Sequence, residues 1–311
     1  MALNVQFCAA TSSWETYQGA LMAAFQKLNL GVNLRRDHGP DLVDHIVYAP
    51  SAGPQLDFGQ FTNLRAVHSL WAGVETITHN KTLKVPLARM VDSGLRDGMV
   101  EWVLGHVLRY HLGMDAHICA QNSDWTPVSP PLARNRHVGI LGLGALGSAC
   151  AQALLNLNFQ VSGWSRNQKS LDGVDCMSGA DGLENILRQS EILVLLLPLT
   201  DATENTLNAD AIAKLPAGAR ILNPGRGALI DDNALLHALE TGHIGHATLD
   251  VFRTEPLPKD HGFWHHPNIT VTPHVASQTR PDTASELIAM NIQRFETGQT
   301  MRFLVNRGTG Y

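Results

Sequence analysis

Short apolar runs alternate with helical patterns between about residues 137 and 275, and this alternation limits the possible folds more than any other feature. Such alternation is typical of a parallel sheet whose strands are joined by crossover helices. Each run is closed by proline, glycine or polar residues, as buried parallel strands usually are. We therefore predict a doubly wound α/β domain with these strands: HVGILGLG, FQVSGWSR, EILVLLLPL, ARILNPG, HATLDVF and NITVTPHV.

A second, weaker series of the same kind occupies the first hundred residues. LNVQFCA, DHIVYAP and LRAVHSL have the character of strands, and TYQGALMAAFQKL between them has helical spacing. One long helix is predicted over 98–122, and another over 279–296. We expect two Rossmann/flavodoxin-like α/β domains with doubly wound parallel sheets and a cleft between them, the first formed by 1–98 with 279–311 and the second by 99–278.

Composition excludes several classes of protein. The chain has 311 residues, of which 44% are hydrophobic and 16% charged, with a formal net charge of -5. This mild negative charge argues against a nucleic-acid partner, and no stretch approaches the roughly 20 apolar residues that span a bilayer. The N-terminus lacks the features of a signal peptide, so we expect a cytoplasmic protein.

The cysteine and histidine spacing indicates no metal site. The four cysteines are widely scattered and show no zinc or redox spacing: Cys8, Cys119, Cys150 and Cys176. His265 and His266 are adjacent, and adjacent side chains in a strand or loop diverge. We therefore expect reduced thiols and no bound metal.

The sequence GLGALG has the spacing of a dinucleotide-binding turn and lies between a predicted strand and a predicted helix. Gly142 would permit a tight turn, Gly144 would let the backbone approach a pyrophosphate, and Gly147 would let helix and strand pack closely. Ala145 and Leu146 complete the turn at the helix N-terminus, where free N–H groups bind anions. A purely structural glycine turn is the weaker alternative.

The residues after the next predicted strand favour NADP as the cofactor, with NAD as the alternative. About 20 residues after the glycine turn, NAD-binding chains normally carry an acid that bonds the ribose. Here Ser165 stands at that place, followed by Arg166 and Lys169. Guanidinium binds a 2′-phosphate through charge-assisted hydrogen bonds, whereas a carboxylate would repel it.

Three polar residues follow predicted strands of the second domain: Arg226 in NPGRG, Glu255 in DVFRTEP and His274 in TPHVAS. Side chains at the carboxyl ends of parallel strands face the crevice in which ligands bind. Reduction of a keto acid needs a guanidinium for the carboxylate, a proton donor for the carbonyl oxygen and an acid that holds this donor. Each residue taken singly has an ordinary surface interpretation.

The motifs resemble those of the D-isomer-specific 2-hydroxyacid dehydrogenases. The matching segments are GLGALG, LLLPLT, NPGRG, LDVF with TEPLP, and HPNITVTPHVAS, and their order covers most of the second domain. Within that family the chain is most similar to the glyoxylate/hydroxypyruvate reductase A type, through WSRNQKS, SLWAGVE and the terminal GY.

The resemblance implies a role for each matching residue. Arg226 would bind the substrate carboxylate and carbonyl, His274 would be the acid in reduction, and Glu255 would orient His274. Asp250 would bond the nicotinamide carboxamide, and Pro198 would line the cofactor channel. The second domain would then bind NADP, and the first would bind substrate.

The resemblance also implies substrate contacts and an assembly. The backbone of Gly73 and Val74 would hold the substrate carboxylate, and Trp71 would crowd the pocket. The expected activity is NADPH-dependent reduction of small 2-keto acids, glyoxylate to glycolate and hydroxypyruvate to glycerate. A homodimer is expected through the helix after Gly98 and the SDWTPVSPP arm.

Two alternatives remain open on sequence grounds. One is another D-2-hydroxyacid dehydrogenase specificity, and the other is an NADP(H)-sensing protein of corepressor type, which can retain the same triad. L-specific lactate and malate dehydrogenases are disfavoured because their glycine turn lies near the N-terminus, whereas here a long segment precedes it.

Overall fold

The computed structural model describes residues 2–50, 55–119, 125 and 127–308. The chain divides into two compact units, one formed by Met1–Leu95 with Gln278–Tyr311 and the other by Arg96–Ser277. The terminal GY dipeptide lies outside the described residues, as do residues 123, 124 and 126 of the predicted SDWTPVSPP arm. Within the described ranges, none of the helices has both the length and the apolar character of a membrane span.

The first unit contains a five-stranded, all-parallel sheet in the order β2-β1-β3-β4-β5. This order is that of a flavodoxin-like sheet. Its strands are β1 (Leu3–Cys8), β2 (Val32–Arg35), β3 (His45–Tyr48), β4 (Ala66–Ser69) and β5 (Leu87–Ala88).

Helices cover this sheet with apolar stripes. They are α1 (Thr11–Lys27), the single turn α2 (Glu75–Thr78) and α9 (Pro281–Glu296). Leu21 and Phe25 of α1 are buried in the same cluster as Ile288 and Ile292 of α9. The spacing of three or four residues puts each pair on one helix face, so α9 packs against α1 and completes this core.

The second unit contains a seven-stranded, all-parallel sheet in the order β12-β11-β10-β9-β6-β7-β8. Counted from its own first strand, this is the dinucleotide-binding order 3-2-1-4-5-6 with one more strand at the edge. The strands are β6 (His137–Leu141), β7 (Gln160–Trp164), β8 (Asp175–Met177), β9 (Ile192–Leu195), β10 (Ala219–Asn223), β11 (Ile244–Leu249) and β12 (Ile269–Val271). Two parallel sheets flanked by helices confirm the predicted fold class.

The crossover helices lie between these strands in the chain. They are α5 (Ala145–Asn156), α6 (Gly179–Gln189), α7 (Ala209–Ala213) and α8 (Asp232–Glu240). All four residues of β9 are buried, which is usual for a central strand with helices on both faces.

The helix predicted over 98–122 is wrong in its extent. The structure has α3 (Ser93–His111) and a separate α4 (Met114–Cys119). The carboxylate of Asp92 accepts from the amides of Gly94 and Leu95, which starts α3 before the predicted residue. Gly113 has φ +64, a left-handed conformation that ends helices and is easy only for glycine.

Candidate active site

The glycine turn after β6 requires glycine at two of the three glycine positions of its GxGxxG pattern. Gly142 has φ +110, and a Cβ there would lie 2.5 Å from the carbonyl oxygen of Leu196. A Cβ on Gly147 would lie 1.9 Å from the carbonyl oxygen of Gly142. Gly144 is the N-cap of α5, and a Cβ placed on it would meet no atom within 4 Å. The first and third glycines therefore serve packing, and the second leaves open space.

This open space fits a dinucleotide phosphate. The amides of Ala145, Leu146 and Gly147 form the first turn of α5, where N–H groups have no intrahelical acceptor. A helix N-terminus of this kind favours anions through both its N–H groups and its dipole. The turn follows β6, whose neighbours in the sheet are β7 and β9, so it lies at the point where the strand order reverses. Ligands of such sheets bind there.

The three residues predicted to select NADP lie close together after β7. Ser165 is buried, and its hydroxyl donates to the carbonyl oxygen of Asn167 at 2.7 Å. Lys169 donates from its ammonium to the carbonyl oxygen of Leu143, within the glycine turn. Arg166 and Lys169 are both exposed, and Ser165 and Lys169 each have a hydrogen-bond acceptor within these loops, so the three residues form one polar surface beside the glycine turn.

His274 and Glu255 form a hydrogen-bonded pair. His274 Nδ1 lies 2.7 Å from Glu255 Oε2, while Glu255 Oε1 accepts from the amide of Phe252 at 2.8 Å. A carboxylate only accepts hydrogen bonds, so Nδ1 of His274 carries a proton and Nε2 is the nitrogen left to face a ligand. The side chains are 54% and 35% exposed, respectively. The pair therefore has the geometry of an oriented imidazole that is accessible from solvent.

The loop that carries His274 is fixed by a buried carboxylate. Asp250 is 1% exposed, and its two oxygens accept from the amides of Val275 and Ala276, both at 2.9 Å, and from the hydroxyl of Thr272. His274 itself has φ +54, an uncommon conformation for a residue with a side chain. The amide of His274 also donates to the carbonyl oxygen of Asp250 at 2.9 Å. Asp250 thus holds His274 in a backbone conformation that would otherwise be unfavourable.

Arg226 lies in a tightly hydrogen-bonded loop after β10. Asn223, at the end of that strand, donates to the carbonyl oxygen of Arg226 at 2.9 Å and accepts from the amide of Gly225 at 3.1 Å. A Cβ on Gly227 would lie 2.0 Å from the carbonyl carbon of Phe252. Gly227 therefore lets the loop of Arg226 touch the segment that leads to Glu255.

The structure thus brings His274 and Glu255 into direct contact and brings the loop of Arg226 against the loop of Glu255. The three residues follow the neighbouring strands β10, β11 and β12. Sequence reasoning missed the positioning contacts of Asp250 and Asn223, although a polar residue at or directly after the end of an apolar strand was a usable signal. An accessible imidazole held by a carboxylate, with the loop of an arginine packed against the loop of that carboxylate, is suited to carbonyl reduction.

The remaining predicted residues occupy two other places. Pro198 follows β9, and its carbonyl oxygen accepts from the hydroxyl of Thr203 at 2.7 Å. In the first unit, Trp71, Gly73 and Val74 follow β4, with Trp71 exposed and Val74 buried at the N-cap of α2. Their contacts with cofactor or substrate stay predictions.

Known proteins with similar sequences and structures belong to one family. Residues 104–276 match the family described as D-isomer specific 2-hydroxyacid dehydrogenase, NAD binding domain. Glyoxylate/hydroxypyruvate reductase A of Serratia proteamaculans (strain 568) is 42% identical over 256 residues, which are 80% of this chain and 82% of that protein.

Two solved structures are also similar over their whole length. A D-isomer specific 2-hydroxyacid dehydrogenase from Xanthobacter autotrophicus Py2, in complex with NADPH and MES, has a TM-score of 0.91 and 38% identity, covering 100% of this chain and 99% of that one. The NADPH-dependent glyoxylate/hydroxypyruvate reductase from Sinorhizobium meliloti, in complex with NADP and sulfate, has a TM-score of 0.88 and 32% identity, covering 100% of both. These findings confirm the resemblance drawn from the motifs, and the chain belongs to the D-isomer specific 2-hydroxyacid dehydrogenase family, with glyoxylate/hydroxypyruvate reductase A among its similar relatives.

Proposed function

We propose that this protein reduces small 2-keto acids with NADPH, converting glyoxylate to glycolate and hydroxypyruvate to glycerate. The observation that carries the proposal is the 2.7 Å hydrogen bond between His274 Nδ1 and Glu255 Oε2. It leaves Nε2 as the proton donor that a keto acid needs. The names of the Serratia and Sinorhizobium relatives support the same substrates.

The chemistry divides between three side chains. Arg226 binds the substrate carboxylate and polarises the carbonyl, because a planar guanidinium forms paired charge-assisted hydrogen bonds. His274 transfers the proton on Nε2 to the carbonyl oxygen. Glu255 accepts the hydrogen bond from Nδ1–H of His274 and so orients the ring, with Nε2 as the nitrogen that faces the substrate. Reduced nicotinamide, when bound, supplies the hydride.

The cofactor is held at the glycine turn. The first-turn amides of α5 bind the pyrophosphate, and Arg166, with Ser165 and Lys169 shaping the loop around it, binds the 2′-phosphate of NADPH in preference to NADH. Asp250 and Pro198 border the nicotinamide. The complexes of the Xanthobacter and Sinorhizobium proteins with NADPH and NADP support this preference.

The substrate has further contacts in the first unit. The backbone amides of Gly73 and Val74 bind the carboxylate, and Trp71 limits the size of the group attached to the keto carbon. Because the carboxylate is recognised, a neutral aldehyde or ketone of equal size should be a poor substrate.

The experiment that tests the function is a substrate panel. Glyoxylate, hydroxypyruvate, pyruvate and phenylpyruvate are each assayed with NADPH and with NADH. The proposal expects the highest kcat/KM for the two small keto acids with NADPH. Cofactor binding without turnover of any keto acid would instead indicate an NADP(H) sensor and would contradict the proposal.

We also infer a cytoplasmic homodimer. Four exposed apolar side chains belong to α4 and to the described residues that follow it in the chain: Ile118, Trp125, Val128 and Leu132. Trp125 is 94% exposed, a large apolar surface that association with a second copy would cover. Three described cysteines, Cys8, Cys150 and Cys176, are free thiols, as is usual in a reducing compartment. Light scattering at micromolar concentration should give a dimer mass.

A further inference from the structure

A small pocket lies at the amino ends of the strands in the second unit, with a volume of about 140 Å³. Its main residues, which define the amino-edge pocket, are Tyr110, Arg136, Glu191, Gly218 and Arg220. The strands are parallel, so this edge is opposite the one that carries the glycine turn and His274. The five residues of β6 separate the two edges by roughly 16 Å at about 3.3 Å per residue.

The amino-edge pocket has one arginine in excess of its acids. Arg136 forms an ion pair with Glu191 Oε2, and Glu191 Oε1 accepts from the amide of His137 at 3.2 Å. The carboxylate of Glu191 is therefore already paired and does not neutralise a second arginine. Arg220 donates to the carbonyl oxygen of Gly218, and no carboxylate within the described ranges lies at salt-bridge distance from it. Asp115, whose charge also acts on Arg220, is itself paired with Arg109 at 2.6 Å, so the pocket carries one positive charge in excess.

One donor in the pocket also lacks an acceptor. Arg136 Nε is buried without a hydrogen-bond partner among the described residues. Burial lowers the pKa of the Arg220 guanidinium, Tyr110 and Asp115 act in the opposite direction, and the nearby charge of Arg136 lowers it further. Buried donors without acceptors are costly, and so are two guanidinium groups close together. An anion between them would remove both costs.

The guanidinium of Arg220 lies against the backbone of β11. A Cβ on Gly245 would lie 1.8 Å from Nη1 of Arg220, so the absence of a side chain at Gly245 lets the guanidinium approach the backbone closely. Tyr110 borders the pocket from α3, with its hydroxyl hydrogen-bonded to Thr248 Oγ1 in β11. The pocket is thus bordered by rigid elements of the unit.

We propose that the amino-edge pocket binds a small tetrahedral oxyanion, a phosphate or sulfate group, between the guanidinium groups of Arg136 and Arg220. At about 30 Å³ per water molecule, the pocket has the volume of four or five waters, enough for a group of five heavy atoms. The anion could be free inorganic phosphate or the phosphate group of a small ester, since the guanidinium groups recognise the same oxygens. Bound there, it joins the residue before β6 to the start of β10 and stabilises the second unit.

The test is isothermal titration of the protein with inorganic phosphate at constant ionic strength, with chloride as the comparison. NADP+ and glycolate are present in excess, so that the glycine turn and the active site are occupied. One saturable phosphate site per chain is expected, and Arg220→Met should weaken it by about tenfold or more. Absence of saturable binding would overturn the proposal.

Matched variants identify the position of the anion. Arg134 is exposed and lies two residues before Arg136, so Arg134→Met should leave the affinity unchanged. Arg226→Ala should also retain the site. Phosphate binding that is lost in Arg226→Ala but kept in Arg220→Met would place the ion in the active site and contradict the proposal. If Arg220→Met does not fold, Arg220→Lys keeps the charge without the planar fork and should still weaken binding severalfold.

A competition experiment distinguishes the two sources of phosphate. Glycerol 3-phosphate that displaces inorganic phosphate in the wild type would identify the ligand as a phosphate ester. Displacement by sulfate but not by the ester would identify a free ion. Both results must depend on Arg220, and displacement that persists unchanged in Arg220→Met would contradict the assignment.

Discussion

Individual residues of the site act through contacts that their type alone does not reveal. The sequence predicted His274 and Glu255 as partners, and the structure places their side chains in hydrogen-bond contact. It did not predict the left-handed backbone of His274, with φ +54, because non-glycine residues rarely adopt this conformation. Asp250, predicted as a nicotinamide contact, also binds the loop that carries His274.

Replacement of Asp250 with Asn tests this positioning role. An amide has one oxygen acceptor, so at least one of the amides of Val275 and Ala276 would lose its partner, at a cost of about 1–3 kcal/mol in the free energy of unfolding. We expect kcat to fall with the stability, because His274 is no longer held in its conformation. Denaturant unfolding and steady-state kinetics check this.

Asp260→Asn is the control for that variant, since Asp260 is exposed in a neighbouring loop. It should change neither stability nor kcat. Normal kcat in Asp250→Asn, with binding of NADPH also normal, would show that the carboxylate is not needed to position His274.

Arg166 is the residue on which the predicted cofactor preference depends. Arg166→Ala removes a charged contact with the 2′-phosphate, a loss of roughly 10- to 150-fold in kcat/KM for NADPH. The value for NADH should change little, because NADH has no 2′-phosphate. Kinetics with both cofactors at a fixed glyoxylate concentration measure the ratio, and equal losses for both would contradict the role of Arg166.

The predicted strands agree with the structure where the apolar runs of the sequence are long and regular. The central strands β6, β9 and β10 lie within the predicted runs. The short strands β2, β5 and β8 were missed, because four, two and three residues are too few for a clear period. Gly113 ended the predicted long helix, and this could not be foreseen because glycine is also tolerated inside helices, as at Gly105 in α3.

The contact between two loops gives a prediction for Gly227. Gly227→Ala would place a Cβ 2.0 Å from the carbonyl carbon of Phe252, so the loops of Arg226 and Glu255 must separate. We expect the free energy of unfolding to fall by about 1–3 kcal/mol and kcat/KM for glyoxylate to fall at least tenfold.

Gly105→Ala is the matched control, because a Cβ at Gly105 meets no atom within 4 Å inside α3. It should stabilise the protein by roughly 0.5–1 kcal/mol, since alanine favours helix over glycine. If Gly227→Ala behaved like Gly105→Ala in both stability and turnover, the loop contact would have no functional importance.

At the scale of the whole molecule, two parallel sheets could be predicted because their buried strands form nearly continuous apolar runs. Substrate-binding roles for Trp71, Gly73 and Val74 came only from resemblance, since a turn after a strand in the first unit has no chemical signature of its own. The amino-edge pocket could not be foreseen, because Arg136 and Arg220 are far apart in the chain and lie at the amino ends of two different strands.

Stability of the second unit should fall in mild acid. Burial, with the charges of Arg109 and Arg220, lowers the pKa of His246 to about 4. An unfolded histidine titrates near 6.5, so below that pH the unfolded chain binds the proton first, and stability falls until the pH reaches about 4. The loss from this residue is at most about 3 kcal/mol.

The measurement is the fall in the free energy of unfolding between pH 7 and about pH 4.5. This fall should be smaller in His246→Gln than in the wild type. His237 is an exposed histidine on α8, and His237→Gln should leave the fall unchanged. An unchanged fall in His246→Gln would mean that His246 does not contribute to the acid sensitivity.

The central claim is that His274 supplies the proton for keto-acid reduction, and the rate of glyoxylate reduction by His274→Ala at saturating NADPH tests it most directly. A positioned general acid contributes about 10²- to 10⁴-fold, so kcat should fall by that factor while the Kd for NADPH stays that of the wild type. Glu255→Gln keeps a hydrogen-bonding partner for the imidazole, so its kcat should fall by a smaller factor than that of His274→Ala. Wild-type kcat in His274→Ala would contradict the account.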